Sequence, residues 1–148
     1  MQKIRSLVVF DVADETMAID ILNIERIINL PEIKKLPSSK SYIEGIIECE
    51  GKITLVMNLK ENFNKVDTSV TNESKIIIVN YENTNLGLIV DYVDEIIEIE
   101  EDKIQSSFGM LRSVSDQYVD GVVKLNDKML LLINTKKLID KSQLEENL

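Results

Sequence analysis

Cys49 contains the single thiol of this 148-residue sequence and is the first candidate for a nucleophile. It lies between Glu48 and Glu50 on a predicted strand. Neighbouring carboxylates disfavour the thiolate form on which cysteine nucleophiles depend. Because successive side chains of a strand point to opposite faces, Cys49 should face inward, away from both glutamates. We therefore predict an inert core cysteine.

Histidine is absent from the sequence. Its absence removes the commonest general base, the commonest metal ligand and every Ser–His or Cys–His nucleophile pair. The five glycines are scattered, so no glycine-rich phosphate loop is present. No pair of carboxylates is distinguished by its spacing as an acid–base pair. We predict no catalytic residue and no cofactor, and an uncharacterised enzyme stays only as an alternative.

Acidic residues form two clusters that could bind a metal ion. They are Asp91, Asp94 and Glu95, and Glu98, Glu100, Glu101 and Asp102. Neither cluster has the Asp-x-Asp-x-Asp-Gly spacing of a calcium-binding loop. A solvated strand edge is the simpler interpretation, and we predict no metal site.

Composition restricts the partners and the compartment. The net charge of −9 disfavours binding to nucleic acid and to anionic membrane surfaces. Apolar runs such as residues 129–133 fall far short of the ~20 residues that a membrane helix needs. No signal-peptide layout is present at the N-terminus, and one cysteine cannot form an internal disulfide. We expect a cytoplasmic protein that does not insert into membranes.

An internal repeat organises the chain. Residues 42–47 (Tyr-Ile-Glu-Gly-Ile-Ile) resemble residues 118–123 (Tyr-Val-Asp-Gly-Val-Val), 76 positions later. At the same offset, residues 55–58 resemble residues 131–134, and both segments end in Asn. We interpret this as a duplication; the alternative is two similar but unrelated hairpins.

An earlier block repeats at a shorter offset. Residues 7–10 resemble residues 76–79, which lie 69 positions later. The second copy therefore carries seven extra residues between positions 100 and 117. We predict that residues 104–109 belong to that longer loop.

In each copy, short apolar runs separated by polar turns predict five short strands. They lie near residues 7–12, 17–21, 24–30, 45–49 and 53–57, and near 76–80, 86–90, 93–99, 122–125 and 129–133. Glu50-Gly51 and Asn126-Asp127 suit tight hairpins, because Gly, Asn and Asp tolerate positive φ. Asn58 is a candidate N-cap, as is Asn134, which would start a C-terminal helix at about 135–145.

The order and spacing of these blocks resemble the CheW family of chemotaxis coupling proteins. The resemblance extends from about Leu7 to Ile139. Four segments carry it: Ala18-Ile19-Asp20-Ile21 with Ile24-x-x-Ile27, Pro37 followed by Tyr42-Ile43-Glu44-Gly45-Ile46, Gly87-Leu88-Ile89-Val90-Asp91-x-Val93-x-Glu95-Ile96, and Tyr118-x-x-Gly121-Val122.

The resemblance implies an all-β fold with a C-terminal helix, built as two intertwined five-stranded SH3-like barrels. We expect one domain over residues 5–140. Within it, the first barrel would span about 5–63, the linker 64–74, the second barrel about 75–134 and the helix about 135–145.

The resemblance also implies the function of an adaptor, which couples the cytoplasmic tips of chemoreceptors to the regulatory domain of the histidine kinase CheA in signalling arrays. The implied receptor-facing residues are Ile24, Arg26, Ile27, Ile28, Pro37, Gly45, Glu48, Glu50 and Gly51. An apolar residue such as Ile27 or Ile46 could equally belong to the core. The kinase-contacting residues are not identified. Two further alternatives are a scaffold of a non-motility array and a regulatory domain from a larger kinase.

Two charges depart from the family pattern. The family has an acidic residue where this chain has Arg26, and an arginine where it has Glu50. The second copy keeps the acidic form at Glu95. We hypothesise that Arg26 and Glu50 lie on neighbouring strands and form an ion pair that was reversed as a unit. The alternative is two independent surface changes.

Overall fold

The computed structural model describes residues 3–37, 40–63, 69–106 and 118–146, with side chains as far as residue 143. These ranges contain eleven strands and two α-helices. The elements are β1 (Ile4–Val12), β2 (Glu15–Asp20), β3 (Ile24–Asn29), β4 (Ile43–Cys49), β5 (Lys52–Asn58), α1 (Leu59–Asn62), β6 (Lys75–Tyr81), β7 (Thr84–Val90), β8 (Tyr92–Glu100), β9 (Ile104–Ser106), β10 (Val119–Leu125), β11 (Lys128–Ile133) and α2 (Thr135–Glu146). One-turn 3-10 helices at Ile21–Asn23 and Glu101–Lys103 follow β2 and β8.

The strands form two sheets. Sheet A has six strands in the order β8-β1-β2-β11-β10-β9, and sheet B has five in the order β3-β6-β7-β5-β4. Most pairs are antiparallel, while β2–β11 and β5–β7 are parallel. The prediction of an all-β fold of two intertwined five-stranded SH3-like barrels with a C-terminal helix is confirmed, except that sheet A has a sixth strand.

Each sheet contains strands from both copies of the repeat. The sheets therefore differ from the expected division of the chain into one barrel before residues 64–74 and another after them. The first copy's β3 pairs with β6 in sheet B, and the second copy's β8 pairs with β1 in sheet A. At the offset of 69 residues, β3 corresponds to β8 and β6 to β1. The exchange is therefore reciprocal. Its physical basis is that Ile28 of β3 packs in a core formed by both copies.

Within the described part of the chain, apolar side chains form three clusters of buried residues. The sheet A core includes Leu7, Val9, Ala18, Ile97, Val123, Leu130 and Leu132. The sheet B core includes Ile47, Val56, Ile76, Ile78 and Ile89. The third cluster, here called the inter-sheet core, contains residues of both sheets and of α2, among them Phe10, Met57, Ile77 and Leu138. Cys49 packs against the sheet B core, as its predicted inward orientation requires, but it is only half-buried.

Gly45 and Gly121 occupy equivalent positions where another segment crosses very closely. A Cβ atom on Gly45 would lie 2.2 Å from the backbone oxygen of Lys34, and one on Gly121 would lie 2.7 Å from that of Gln105. Each glycine follows a register shift in its strand, at the start of β4 and of β10. Both positions therefore need glycine for close backbone approach.

The crossing segments show where the second copy is longer. Lys34 forms an isolated bridge with Ile46, while the corresponding Gln105 lies in β9 and pairs with Val122. The prediction of a loop at 104–109 is therefore wrong for residues 104–106, which form a strand. The 3-10 turn at Glu101–Lys103 accounts for part of the extra length. Residues 107–117 lie outside the described ranges.

The C-terminal helix begins at an asparagine cap and packs over the inter-sheet core. The Lys137 amide donates to Asn134 Oδ1 at 2.9 Å, which confirms the predicted N-cap. Lys141 of α2 places Nζ 4.0 Å from the ring centre of Tyr42 and 5.0 Å from that of Tyr118. These tyrosines are repeat equivalents, so one ammonium contacts both copies. Burial lowers the pKa of Lys141 and raises that of Tyr118.

Candidate protein-interaction surface

Arg26 and Glu50 form an ion pair at the edge of sheet B. Arg26 Nη2 lies 2.6 Å from Glu50 Oε2, and the side chains are 37% and 66% exposed. The predicted contact is therefore confirmed. Because both groups are well exposed, solvent screening keeps the contribution to stability at ~0–1 kcal/mol.

The predicted placement of this pair on neighbouring strands is wrong. Arg26 lies in β3 and Glu50 in the turn between β4 and β5, and these strands are at opposite edges of sheet B. The contact therefore requires the sheet to curl until its two edges approach, as a strongly twisted sheet does. The pair spans the gap between the edges.

The hairpin turn that carries Glu50 holds an unusual backbone conformation. Glu50 has φ 51° and Gly51 has φ 81°, so both central residues lie in the left-handed region. Such a turn matches the twist of the flanking strands. A Cβ atom on Gly51 would meet nothing within 4 Å, so the space beside this residue is open.

The hollow beside the pair is too small for a cofactor or a metabolite. It measures about 60 Å³ and is lined by Glu25, Arg26, Cys49, Glu50, Lys52, Ile78 and Asn85. Small-molecule sites occupy roughly 300–1,000 Å³. A charged, exposed rim around so small a hollow suits contact with another protein.

The other predicted receptor-facing residues differ in their exposure. On β3, Ile27 is 41% exposed, while Ile24 packs against the inter-sheet core and Ile28 against the sheet B core. Glu48 and Pro37 are exposed.

Gly45 is buried beneath the crossing backbone and offers no contact surface. Its place in the family pattern follows from the close approach described above. Arg26, Glu50 and Gly51 therefore come together at the hairpin, Ile27 and Glu48 are also exposed, and Gly45 has a structural role.

Sequence reasoning missed the most exposed large apolar residues of the described ranges. Leu22 is 89% exposed on the 3-10 turn, where its amide donates to Asp20 Oδ1 at 2.9 Å. Asp20 Oδ2 accepts from Arg5 Nε at 3.0 Å, so the turn that presents Leu22 is held in place. Ile53 and Met129, at repeat-equivalent positions, are each 67% exposed. Apolar residues on strands are typical of a core, so the sequence offered no sign that Ile53 and Met129 are exposed. The repeat alignment showed only that the two positions are equivalent.

The acidic clusters carry no metal-binding geometry in the described ranges, where no three Cys, Asp or Glu side chains are grouped as ligands. Asp91 instead has structural partners. Its Oδ1 lies 2.8 Å from Lys60 Nζ, and its Oδ2 accepts from the Ala13 amide at 2.7 Å. Asp94, Glu95 and Glu98 are exposed, as expected for a strand edge.

Known proteins match this chain over nearly its whole length. The profile of the CheW-like domain matches residues 6–143. The chain belongs to the CheW-like family. A chemotaxis protein CheW of Bacillus subtilis (strain 168) is 27% identical over 91% of this chain and 86% of its own length. The chemotaxis protein CheW of Treponema pallidum (strain Nichols) is 24% identical over 95% of this chain and 85% of its own.

A solved CheW structure has the same fold. The crystal structure of the scaffolding protein TtCheW from Thermoanaerobacter tengcongensis superposes with a TM-score of 0.82. It is 34% identical, with 90% of this chain and 89% of that chain covered. CheW-family proteins are chemotaxis scaffolds and adaptors rather than enzymes, so the prediction of a non-enzymatic adaptor is confirmed at that level. Among the helices of the described part, none is long and apolar enough to cross a membrane.

Proposed function

We propose that this protein couples the cytoplasmic tips of chemoreceptors to the regulatory domain of the histidine kinase CheA, and that it does so in the cytoplasm. The observation that carries the proposal is membership of the CheW-like family over residues 6–143. The exposed rim at Arg26 and Glu50 supports a role in protein contact, because its hollow is too small for a metabolite.

The receptor-facing surface in this proposal is centred on the ion pair. Its members are Ile24, Arg26, Ile27, Ile28, Pro37, Glu48, Glu50 and Gly51. Gly45 lies beneath this surface, where it lets the Lys34 backbone pass close to β4. Ile27 supplies exposed apolar area, and the charged pair sets which partner is accepted. Like charges that face each other across an interface are strongly disfavoured, so such a pair acts mainly on partner choice.

Binding and kinase assays test this proposal together. The full chain should bind a cognate receptor signalling hairpin and a CheA regulatory domain, measured separately by calorimetry. Adding it to receptor-containing membranes should change the rate of CheA autophosphorylation. If several cognate receptors and kinases give neither binding nor a change in rate, the coupling role is wrong.

A double-mutant cycle tests the role of the ion pair in partner choice. Arg26→Glu and Glu50→Arg each place like charges in contact, so each should lower the free energy of unfolding by up to about 1 kcal/mol. Each should also weaken binding to the cognate receptor, by about tenfold. The double reversal should restore stability and shift preference toward receptors of the usual charge pattern.

Glu73→Arg, in an exposed turn away from the pair, is the matched control and should leave stability and receptor affinity unchanged. Independent, additive effects of the two reversals on receptor affinity would contradict the proposed role of the pair. Additivity in stability alone would show that the contact contributes nothing to the fold.

A further inference from the structure

β8 forms one edge of sheet A and pairs with β1 on one side only. Across the described ranges, no strand pairs with its other edge. An edge strand presents unpaired backbone donors and acceptors, which makes it a template for an added strand. β8 spans nine residues, so the template is longer than a typical strand.

The exposed charges on and beside this edge are predominantly acidic. Asp94, Glu95 and Glu98 are exposed, and none of them has an ion-pair partner among the described residues. Beyond the strand, Glu101 pairs with Lys3 at a long distance of 3.9 Å, and both side chains are exposed. The edge therefore presents uncompensated negative charge.

Apolar surface accompanies the acids. Ile96 of β8 is 60% exposed and pairs with Val8 of β1. Glu98, which pairs with Ser6, lies on the same face of the sheet. The next pair on that face places Ile4, which is 53% exposed, across from Glu100. On this face β8 thus presents Ile96 followed by Glu98 and Glu100, with Ile4 of β1 beside them.

The equivalent strand of the first copy shows that the fold does not require this acidity. Ile27 of β3 corresponds to Ile96, and Arg26 corresponds to Glu95. Arg26 is neutralised by Glu50, whereas Glu95 has no such partner in the described part of the chain. The two repeat-equivalent edge strands of this chain therefore differ in charge, and only β8 keeps an unpaired acidic side chain at this position among the described residues.

Acidic side chains on a long edge strand keep copies of the same chain from pairing there. The same charges favour a strand of opposite sign, because they reject acidic partners and attract basic ones. We propose that the free edge of β8 binds an extended, positively charged segment of another protein by strand addition, with Ile96 supplying the apolar contact. This surface is separate from the Arg26–Glu50 rim in sheet B.

The probe for this site is the nine-residue synthetic peptide Lys-Lys-Ile-Ile-Lys-Lys-Ile-Ile-Lys, which as a strand presents both lysine and isoleucine on each face. A matched peptide with N-methyl groups on all backbone nitrogens keeps the charge but has no backbone donor on either edge, so it cannot pair as a strand. Titrated into the isotope-labelled full chain, the first peptide should shift amide signals of β8 and slow their hydrogen exchange. The N-methylated peptide should bind at least about tenfold more weakly.

Variants separate a specific site from general attraction. Glu95→Lys combined with Glu98→Lys should weaken peptide binding at least about tenfold, and Ile96→Ser should weaken it several-fold. The control Glu73→Lys should change the affinity less than twofold. The proposal is overturned if the N-methylated peptide binds equally well or if Glu73→Lys weakens binding as much. It is also overturned if the charge reversals cause self-association without loss of peptide binding, since the acids would then only protect the edge.

Discussion

Gly45→Ala is expected to lower the free energy of unfolding by about 4 kcal/mol. The new Cβ would lie 2.2 Å from the Lys34 backbone oxygen and 2.8 Å from Ile33 Cγ2, so the crossing segment must move. Overpacking of this kind costs ~1–3 kcal/mol. Gly45 also has φ 152°, a conformation that side chains rarely adopt, which adds ~1–3 kcal/mol. Urea unfolding of the wild type and variant measures the loss.

Two other glycines serve as matched controls. Gly121→Ala meets the Gln105 oxygen at 2.7 Å without a positive φ, so we expect a smaller loss of about 2 kcal/mol. Gly51→Ala has open space but φ 81°, and should cost about 1 kcal/mol. A cost at Gly45 no larger than that at Gly51 would contradict the close approach. Because Gly45→Ala destabilises the fold, weaker partner binding by this variant would reflect the loss of stability and not a direct contact of Gly45 with the partner.

Phe10→Ala is expected to cost about 3–5 kcal/mol and to destabilise both sheets together. Phe10 is completely buried in the inter-sheet core, where residues of sheet A, sheet B and α2 pack as one cluster. Truncation of a buried phenylalanine loses its transfer free energy and leaves a cavity. Since each sheet also contains strands of both copies, neither should persist when the other unfolds.

The measurement is urea unfolding followed by far-ultraviolet circular dichroism and by amide exchange in both sheets. All probes should report one transition, shifted to lower urea in the variant. Leu22→Ala, at a position that is 89% exposed, is the control and should change the free energy of unfolding by no more than about 0.5 kcal/mol. Two separate transitions would show that the sheets unfold independently.

The local elements could be predicted because their signals lie within a few residues. The hairpin at Glu50-Gly51 has the two left-handed residues that its type requires. The asparagine caps follow from a side-chain oxygen that accepts a nearby amide, as seen at Asn58 with Lys60 and at Asn134 with Lys137. β9 was missed because a three-residue strand leaves too short a pattern to distinguish from a loop.

The candidate site was predicted in part. Reversed charges at Arg26 and Glu50 indicated a pair, because opposite charges that change together are typical of a contact. Their location at two sheet edges could not be predicted, since it depends on how far sheet B curls. The strong exposure of Leu22 was also hidden, because an isolated leucine on a strand or turn gives no signal of its orientation.

The sequence by itself determined the duplication, ten of the eleven described strands, the C-terminal helix, the family resemblance and the absence of histidine chemistry. These depend on residue type and on short-range periodicity. Only the tertiary structure decided that β3 and β8 exchange between sheets, that Gly45 lies under the Lys34 backbone, and that Arg26 meets Glu50. The physical reason is that the two copies have similar apolar patterns, so each strand could pair within its own copy or with the other. Packing of the complete inter-sheet core selects between these pairings, and that core exists only when both copies are folded.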